Sequence, residues 1–515
     1  MPPQPAATAD IPTLASAPPT RRDTAVLLAI ATVFALGHIL TNGRYGFHRD
    51  ELQFLSDARH LDWGFVAYPP LTPFLQRIGL TLFGLSLTGL RLLSVVAQAA
   101  VIFVCGLMAR DLGGNRLAQV ATAVTVGLSG LPLFEATEFQ YTSFSYLWWI
   151  LVCWSVIRLL KSENPRWWMA IGAAIGLGLL TKYSVAFFIA GLLGGLAFTR
   201  ARRYFASPWF YAGVALALLL FLPNLVWLAS HHFVSYHFLQ SIHTRDVGQG
   251  RADGYWKYQF LLDVNLVSTP VWIAGLIALF RSSRYRMLAW MYAVPVIVFW
   301  LNKGRFYYVA EAYPALLAMG CVVAERWLIV RPRWARRTVT TIYFAGVLAM
   351  GAYLVAILVP IAPSGPLRDF ALKNNGDLRE EFGWDDLVRA VAAVRDSLPP
   401  DQSGQRTSYA ILTGNYGEAG AIENLGSAYQ LPPPVSLTNS FYLRTYPQQQ
   451  PSTVIVVGWS QQQLDRQFTG CRLAGHNGNT LGIQNEESKS HPDIFVCGPP
   501  QKGWPQFWKT NQRFG

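Results

Sequence analysis

Charge is scarce in this chain. Of its 515 residues only 14% are Asp, Glu, Lys or Arg, whereas 52% are hydrophobic and 18 are Trp. A soluble domain carries about 25% charged residues, so this composition excludes an ordinary soluble enzyme and indicates a membrane protein. Cysteine is also sparse, five residues with no CxxC pair, which removes a thiol-redox motif or a zinc ribbon. The nine histidines include His231-His232, His237 and His243 in one loop, but without the i,i+4 carboxylate companionship of a zinc helix, and a polar lid is preferred to a metal site there. No G-x-S-x-G supports a serine hydrolase. The single Gly-rich turn, Gly414-Asn415-Tyr416-Gly417-Glu418-Ala419-Gly420, is spaced GxxGxxG rather than GxGxxG. A strand-to-helix turn that needs Gly for steric reasons is preferred there to a phosphate cradle.

The net charge of +13 raises the question of a nucleic-acid partner. From Ile361 onward there are 13 Lys/Arg against 14 Asp/Glu, so the whole excess lies in the apolar part and no nucleic acid is called for.

What is present is a series of long apolar segments. Residues 1–20, rich in Pro and Ala, read as a disordered tail ahead of Arg21-Arg22 and an uncleaved anchor at 25–40. Further apolar segments lie near 91–109, 117–134, 142–160, 167–181, 184–199, 208–229, 262–280, 286–301, 307–329 and 338–361, eleven spans in all. Pro69-Pro70 start a semi-apolar helix, 71–83, that reads as interfacial. Alternate loops carry Arg21/Arg22, Arg110/Arg116, Arg158/Lys161/Arg166, Arg200/Arg202/Arg203, Arg281/Arg284/Arg286 and the Arg326 to Arg337 group. The positive-inside rule makes that face cytoplasmic, with the N-terminus. The outer face then receives residues 41–68, 134–141, the Lys182 turn, 230–258, 302–308 and a C-terminal domain, 362–515, that reads as small α/β. Its strands are expected at Tyr409–Leu412 and Val454–Val457, and its Cys471 and Cys497 could pair in an oxidising compartment.

Chemistry concentrates at His48-Arg49-Asp50-Glu51-Leu52 in the first outer loop. A carboxylate at a water-lipid boundary can serve as a general base. Asp50, with Gln53 three residues on, equally fits a helix N-cap with its capping box, and the two roles are compatible. Lys182 and Arg305 stand at outward ends of apolar segments, where a cation needs a partner: a phosphate, lipid headgroups, or for Arg305 the nearby Glu311.

Together His48–Leu52, Tyr68-Pro69-Pro70-Leu71-Thr72-Pro73, Ala109-Arg110-Asp111-Leu112-Gly113-Gly114, Thr137-Glu138-Phe139-Gln140-Tyr141, Leu180-Thr181-Lys182-Tyr183 and Lys303-Gly304-Arg305-Phe306-Tyr307-Tyr308 resemble bacterial family-39-type glycosyltransferases of the GT-C superfamily. That superfamily includes protein O-mannosyltransferases and the aminoarabinose transferase of lipid A. The resemblance implies a GT-C fold and sugar transfer with inversion from a polyprenyl-phosphate donor to an envelope acceptor at the outer face of the cytoplasmic membrane. It makes Asp50 the base with Glu51 beside it. It offers Glu138 or Gln140 where some relatives carry a second acidic residue, and places Lys182, Tyr183, Arg305 and Tyr307 among the substrate-binding positions. No cofactor is called for, with a divalent cation left open. The alternatives are a transporter or flippase of lipid-linked sugars, for which internal repeats and midplane polar residues would be expected, and a membrane-anchored binding protein.

Overall fold

The computed structural model describes residues 21–399 and 408–515, so the expected tail, 1–20, lies outside the described residues. The described residues form two compact units that interleave in sequence: 21–41, 91–226 and 246–361 in the first, and 42–90, 227–245, 362–399 and 408–515 in the second.

The first unit is helical. Among the described residues six helices are long and apolar enough to cross a membrane, and up to eight spans result if two bent pairs each count as one, against eleven apolar segments in the sequence. The difference arises where an apolar run forms a helix too short to count, as in Trp167–Leu179 and Arg286–Leu301, or is broken. Residues 117–134 form two helices, Arg116–Gly127 and Gly130–Glu135. Residues 262–280 enter through a π-turn, Gln259–Asp263, and bend by 104° before Thr269–Arg281. Backbone freed at a break inside a bilayer needs partners within the protein. Asn265 supplies them at both breaks, its Nδ2 donating to the carbonyls of Leu128 (3.2 Å) and Val347 (3.0 Å) while its Oδ1 accepts from the Val267 amide (3.2 Å). Small residues bring helices into backbone contact. A Cβ on Gly275 would stand 2.0 Å from the Leu316 carbonyl, and one on Gly320 equally near that of Val271. The Arg110–Gly114 motif proves to be a helix end: Asp111 accepts from Lys161 (3.0 Å) and Trp154 (3.0 Å), and Glu325 caps the next helix through the amides of Asn115 (2.7 Å) and Ala118 (3.2 Å).

The second unit is built on a five-stranded sheet of order β2-β1-β3-β5-β4. Its strands are β1 Tyr409–Thr413, β2 Val435–Ser436, β3 Thr453–Val457, β4 Arg472–His476 and β5 Asp493–Cys497. β1 runs parallel to β2 and β3, whereas β5 is antiparallel to β3 and β4. The two strands read from the sequence are the adjacent central pair. Cys471 and Cys497 are joined in a disulfide beside β4 and β5. The helix Trp384–Asp396 buries Leu387, Val391 and Val394 against Ile411, Ile455 and Ile494.

The helix Arg49–Arg59 belongs to this unit and is enclosed by it, with every residue from Glu51 to Ala58 buried. Glycine sets how closely it packs: a Cβ on Gly420 would stand 2.8 Å from the Leu52 backbone, and one on Gly417 3.0 Å from the Arg49 Cβ. Asp57, fully buried, accepts from the Tyr68 hydroxyl (2.5 Å) and from Arg444 (2.6 Å). The helix Leu71–Phe83 differs in exposing Ile78 (50%) and Leu82 (65%), the apolar face expected of an interfacial helix.

Candidate active site

The helix carrying Asp50 begins two residues earlier than the sequence suggests. His48, not Asp50, is the N-cap: its Nδ1 accepts from the Asp50 amide (3.2 Å), and Glu51, not Gln53, closes the capping box by accepting from the His48 amide (2.8 Å). Glu51 is 1% exposed and is thereby committed to the cap. Gln53 accepts instead from Asn439 (3.2 Å). Asp50 is left in the first helical turn, partly exposed, where the helix N-terminus favours an anion. Its Oδ1 accepts from the Tyr416 hydroxyl at 2.7 Å.

Tyr416 comes from the Gly-rich turn. β1 ends at Thr413 and the helix Tyr416–Leu425 follows at once, capped by Asn415 with Glu418 in a second capping box. Glu418 accepts from the amides of Gly414 (2.8 Å) and Asn415 (3.3 Å). The two donors that a phosphate would need are held by the chain's own carboxylate, so the turn is no phosphate cradle. A Cβ on Gly414 would stand 2.2 Å from the Gly458 carbonyl, which gives this glycine its steric reason. Arg49 stands over the Tyr416 ring (5.7 Å) and pairs with Glu486 (2.5 Å), with Glu487 at 3.7 Å and Glu380 at 4.0 Å. Burial, then the like charge of Glu487, pushes Glu380 up to about 7 and Glu418 up to about 8. Burial also holds the Tyr416 phenol above its usual value, keeping it a donor.

The first unit gathers the remaining candidates. Lys182 sits in the turn after the helix Trp167–Leu179, its amide bonded to the Gly178 carbonyl (2.8 Å). Thr181 pins that turn by donating to the Leu177 carbonyl (2.8 Å) and accepting from the Trp148 indole (3.1 Å). The Lys182 ammonium lies over the rings of Tyr308 (5.1 Å), Tyr141 (5.2 Å) and Tyr307 (6.0 Å), with the Glu311 and Glu135 carboxylates acting on its charge. Glu311 is anchored by Ser145 (2.9 Å). Arg305 pairs elsewhere than with Glu311, one of the partners the sequence left open. Its Nε and Nη2 donate to Asp246 (2.7 and 2.6 Å) and its Nη1 to the Tyr307 hydroxyl (3.1 Å), while Arg251 adds a second contact to Asp246 (3.4 Å). Tyr183 donates to Asn224 (3.3 Å). Glu138, buried, and Gln140 lie on the segment that enters the helix Tyr141–Ser162, directly before the tyrosine beside Lys182. Asp246 was not singled out in the sequence, and Tyr416, Tyr308 and Tyr141 only as motif members. In the histidine loop, His231 stacks on Trp227 (4.1 Å) with its Nδ1 2.9 Å from the Trp227 carbonyl.

Residues 67–227 match the family described as dolichyl-phosphate-mannose-protein mannosyltransferase. The lipid A galacturonosyltransferase RgtD of Rhizobium johnstonii is 25% identical over 372 residues, 69% of this chain and 74% of that protein. The chain is similar to GT-C glycosyltransferases and has their fold. An undecaprenyl phosphate-alpha-4-amino-4-deoxy-L-arabinose arabinosyl transferase of Pseudomonas fluorescens is 26% identical over 272 residues, 49% of this chain and 47% of that protein. ArnT from Cupriavidus metallidurans, solved bound to undecaprenyl phosphate, shares the fold with a TM-score of 0.54 at 14% identity, covering 92% of this chain and 97% of that one. These relatives give the transporter alternative no support. The GT-C chain described here is thus a multi-pass membrane enzyme.

Proposed function

We propose that this GT-C enzyme moves a sugar, with inversion, from a polyprenyl-phosphate donor to an envelope acceptor at the outer face of the cytoplasmic membrane. In this reading the N-terminus is cytoplasmic and the domain 362–515 extracytoplasmic. The observation that carries it is Asp50, an acidic side chain at a helix N-terminus with one oxygen bonded to Tyr416. A carboxylate so held takes the proton of an acceptor hydroxyl as that oxygen bonds to the anomeric carbon. The bond from that carbon to the phosphate oxygen breaks, and polyprenyl phosphate leaves with the electron pair. Attack opposite the leaving group inverts the centre.

The departing phosphate gains negative charge, and a fixed cation strengthens its hold as that charge grows. Lys182 is the side chain suited to this. Tyrosine faces steady its ammonium without taking its N–H donors, and an ammonium binds phosphate as a point charge. Arg305 contributes its fork only if phosphate exchanges with Asp246. Tyr183, Tyr307, Glu138 and Gln140 are proposed as sugar and phosphate contacts. The acceptor is an envelope lipid, glycan or protein.

The test is release of polyprenyl phosphate by purified protein from a panel of radiolabelled polyprenyl-phosphate sugars with an envelope extract as acceptor. Label moved into the acceptor with stoichiometric polyprenyl phosphate supports the reading. Donor carried across a vesicle membrane unchanged would replace it with transport.

A further inference from the structure

We propose that Tyr416 is a positioning residue for the transfer reaction, aiming the Asp50 carboxylate by donating its phenolic O–H to Asp50 Oδ1. The inference rests on the reading of Asp50 as the base.

The bond joins residues 366 positions apart, at 2.7 Å. A tyrosine side chain has few rotatable bonds, and each is constrained here. Its helix starts at Tyr416 itself, and the Asn415/Glu418 capping box fixes the backbone on which the ring is carried. Arg49, next to Asp50, covers the ring and is held by Glu486. Asn415 extends that mesh by donating to Glu487 (3.2 Å). A Cβ on Gly420 would overlap the Leu52 backbone and one on Gly417 would crowd the Arg49 Cβ, so the absence of both side chains lets the two helices pack closely enough for the hydroxyl to meet the carboxylate. The Gly-rich turn therefore has a purpose other than phosphate: it lets a helix of the C-terminal domain come close enough to hold the outer-loop carboxylate.

A hydroxyl that holds one oxygen of a carboxylate fixes the plane of the group and hence the direction in which the other oxygen faces. A general base works only when its oxygen lies within hydrogen-bond reach of the proton it takes, and a displacement of about 1 Å can cost about 10²-fold. Tyr416→Phe removes the O–H and leaves the ring that packs under Arg49. It should lower kcat about tenfold, change the donor KM less than about twofold, and leave the melting temperature within about 2 °C of the parent. A merely structural tyrosine predicts a different pattern, with the melting temperature and KM moving together with kcat. The decisive measurement is a double-mutant cycle. In an Asp50→Asn background, Tyr416→Phe should cost less than about twofold, because its effect acts through a base no longer there. Losses that multiply overturn the inference, as does wild-type kcat in Tyr416→Phe while Asp50→Asn is slow, which leaves Asp50 as the base without a positioner. Near-normal kcat in Asp50→Asn removes the base reading, and this inference with it.

Discussion

Asp50 meets tyrosine through the hydroxyl, 2.7 Å from Tyr416, whereas Lys182 meets it through ring faces, 5.1 to 6.0 Å from Tyr141, Tyr307 and Tyr308. A phenolic O–H is a directional donor and orients a carboxylate. A ring face is a diffuse negative surface that steadies a cation and leaves its N–H donors unspent. Each arrangement matches its expected task. A base needs a defined direction, and a phosphate ligand needs its hydrogen-bonding capacity in reserve.

The largest expected effect removes the directional partner's target. Asp50→Asn keeps size and an acceptor oxygen but no longer takes a proton, and turnover should fall on the order of 10²-fold with the fold intact. Glu51→Gln makes the contrast, because its carbonyl oxygen still accepts from the His48 amide and the cap survives. Near-parental turnover in Asp50→Asn, measured by polyprenyl phosphate release, would reduce Asp50 to an ordinary first-turn residue. On the other side of the comparison, Lys182→Met keeps the apolar stem among the rings and loses the charge, with an expected loss of about tenfold. An unchanged rate and donor KM would show that the tyrosines hold Lys182 for packing alone.

The stability of the second unit should also depend on pH, through carboxylates that the first unit's cage does not share. Glu380 and Glu418 are pushed up to about 7 and about 8, by burial and then by Glu487. A carboxyl raised in the folded state binds protons more tightly there than in the unfolded chain. Its contribution is therefore full below the unfolded value, about 4.5, and is lost as pH rises through 7 to 8. The melting temperature should fall from about pH 5.5 to about pH 8.5. Glu487→Gln removes the like charge common to both and should flatten that decline. Equal slopes in the two proteins, followed by calorimetry, would assign the dependence to other groups.

Much of this was legible in sequence because it is local. The apolar segments and the runs that become β1 and β3 depend on neighbours a few residues away, whereas the pairing of those strands and the steric reason for Gly414, the Gly458 carbonyl, do not. What was hidden depended on distant partners or on a side chain in an unusual role. The cap was misplaced because histidine seldom serves as an N-cap acceptor, so Asp50 and Gln53 matched the usual pattern better than His48 and Glu51. The breaks at Leu128 and Val264 leave no mark on hydropathy, since one buried Asn265 repairs the backbone at both. Tyr416 gave no signal of its partner, and Arg305 passed over Glu311, six positions on, for Asp246, 59 positions back.

That last exchange yields the smallest expected effect and the sharpest contrast between the two cations of the first unit. Lys182 keeps its donors under aromatic rings, while Arg305 gives two nitrogens to Asp246 and a third to Tyr307. A carboxylate on a guanidinium fork occupies the geometry that a phosphate would use. If Arg305 takes part in donor binding, Asp246 competes with the donor, and weakening it helps. Asp246→Asn keeps one acceptor oxygen for the fork but removes the charge, so the donor KM should fall by about twofold to threefold with kcat unchanged. Arg251, which also contacts Asp246, remains to limit how far the fork swings. The opposite result has its own meaning. A donor KM that rises in Asp246→Asn would show that Arg305 is useful only when braced by Asp246, and that Lys182 alone meets the phosphate.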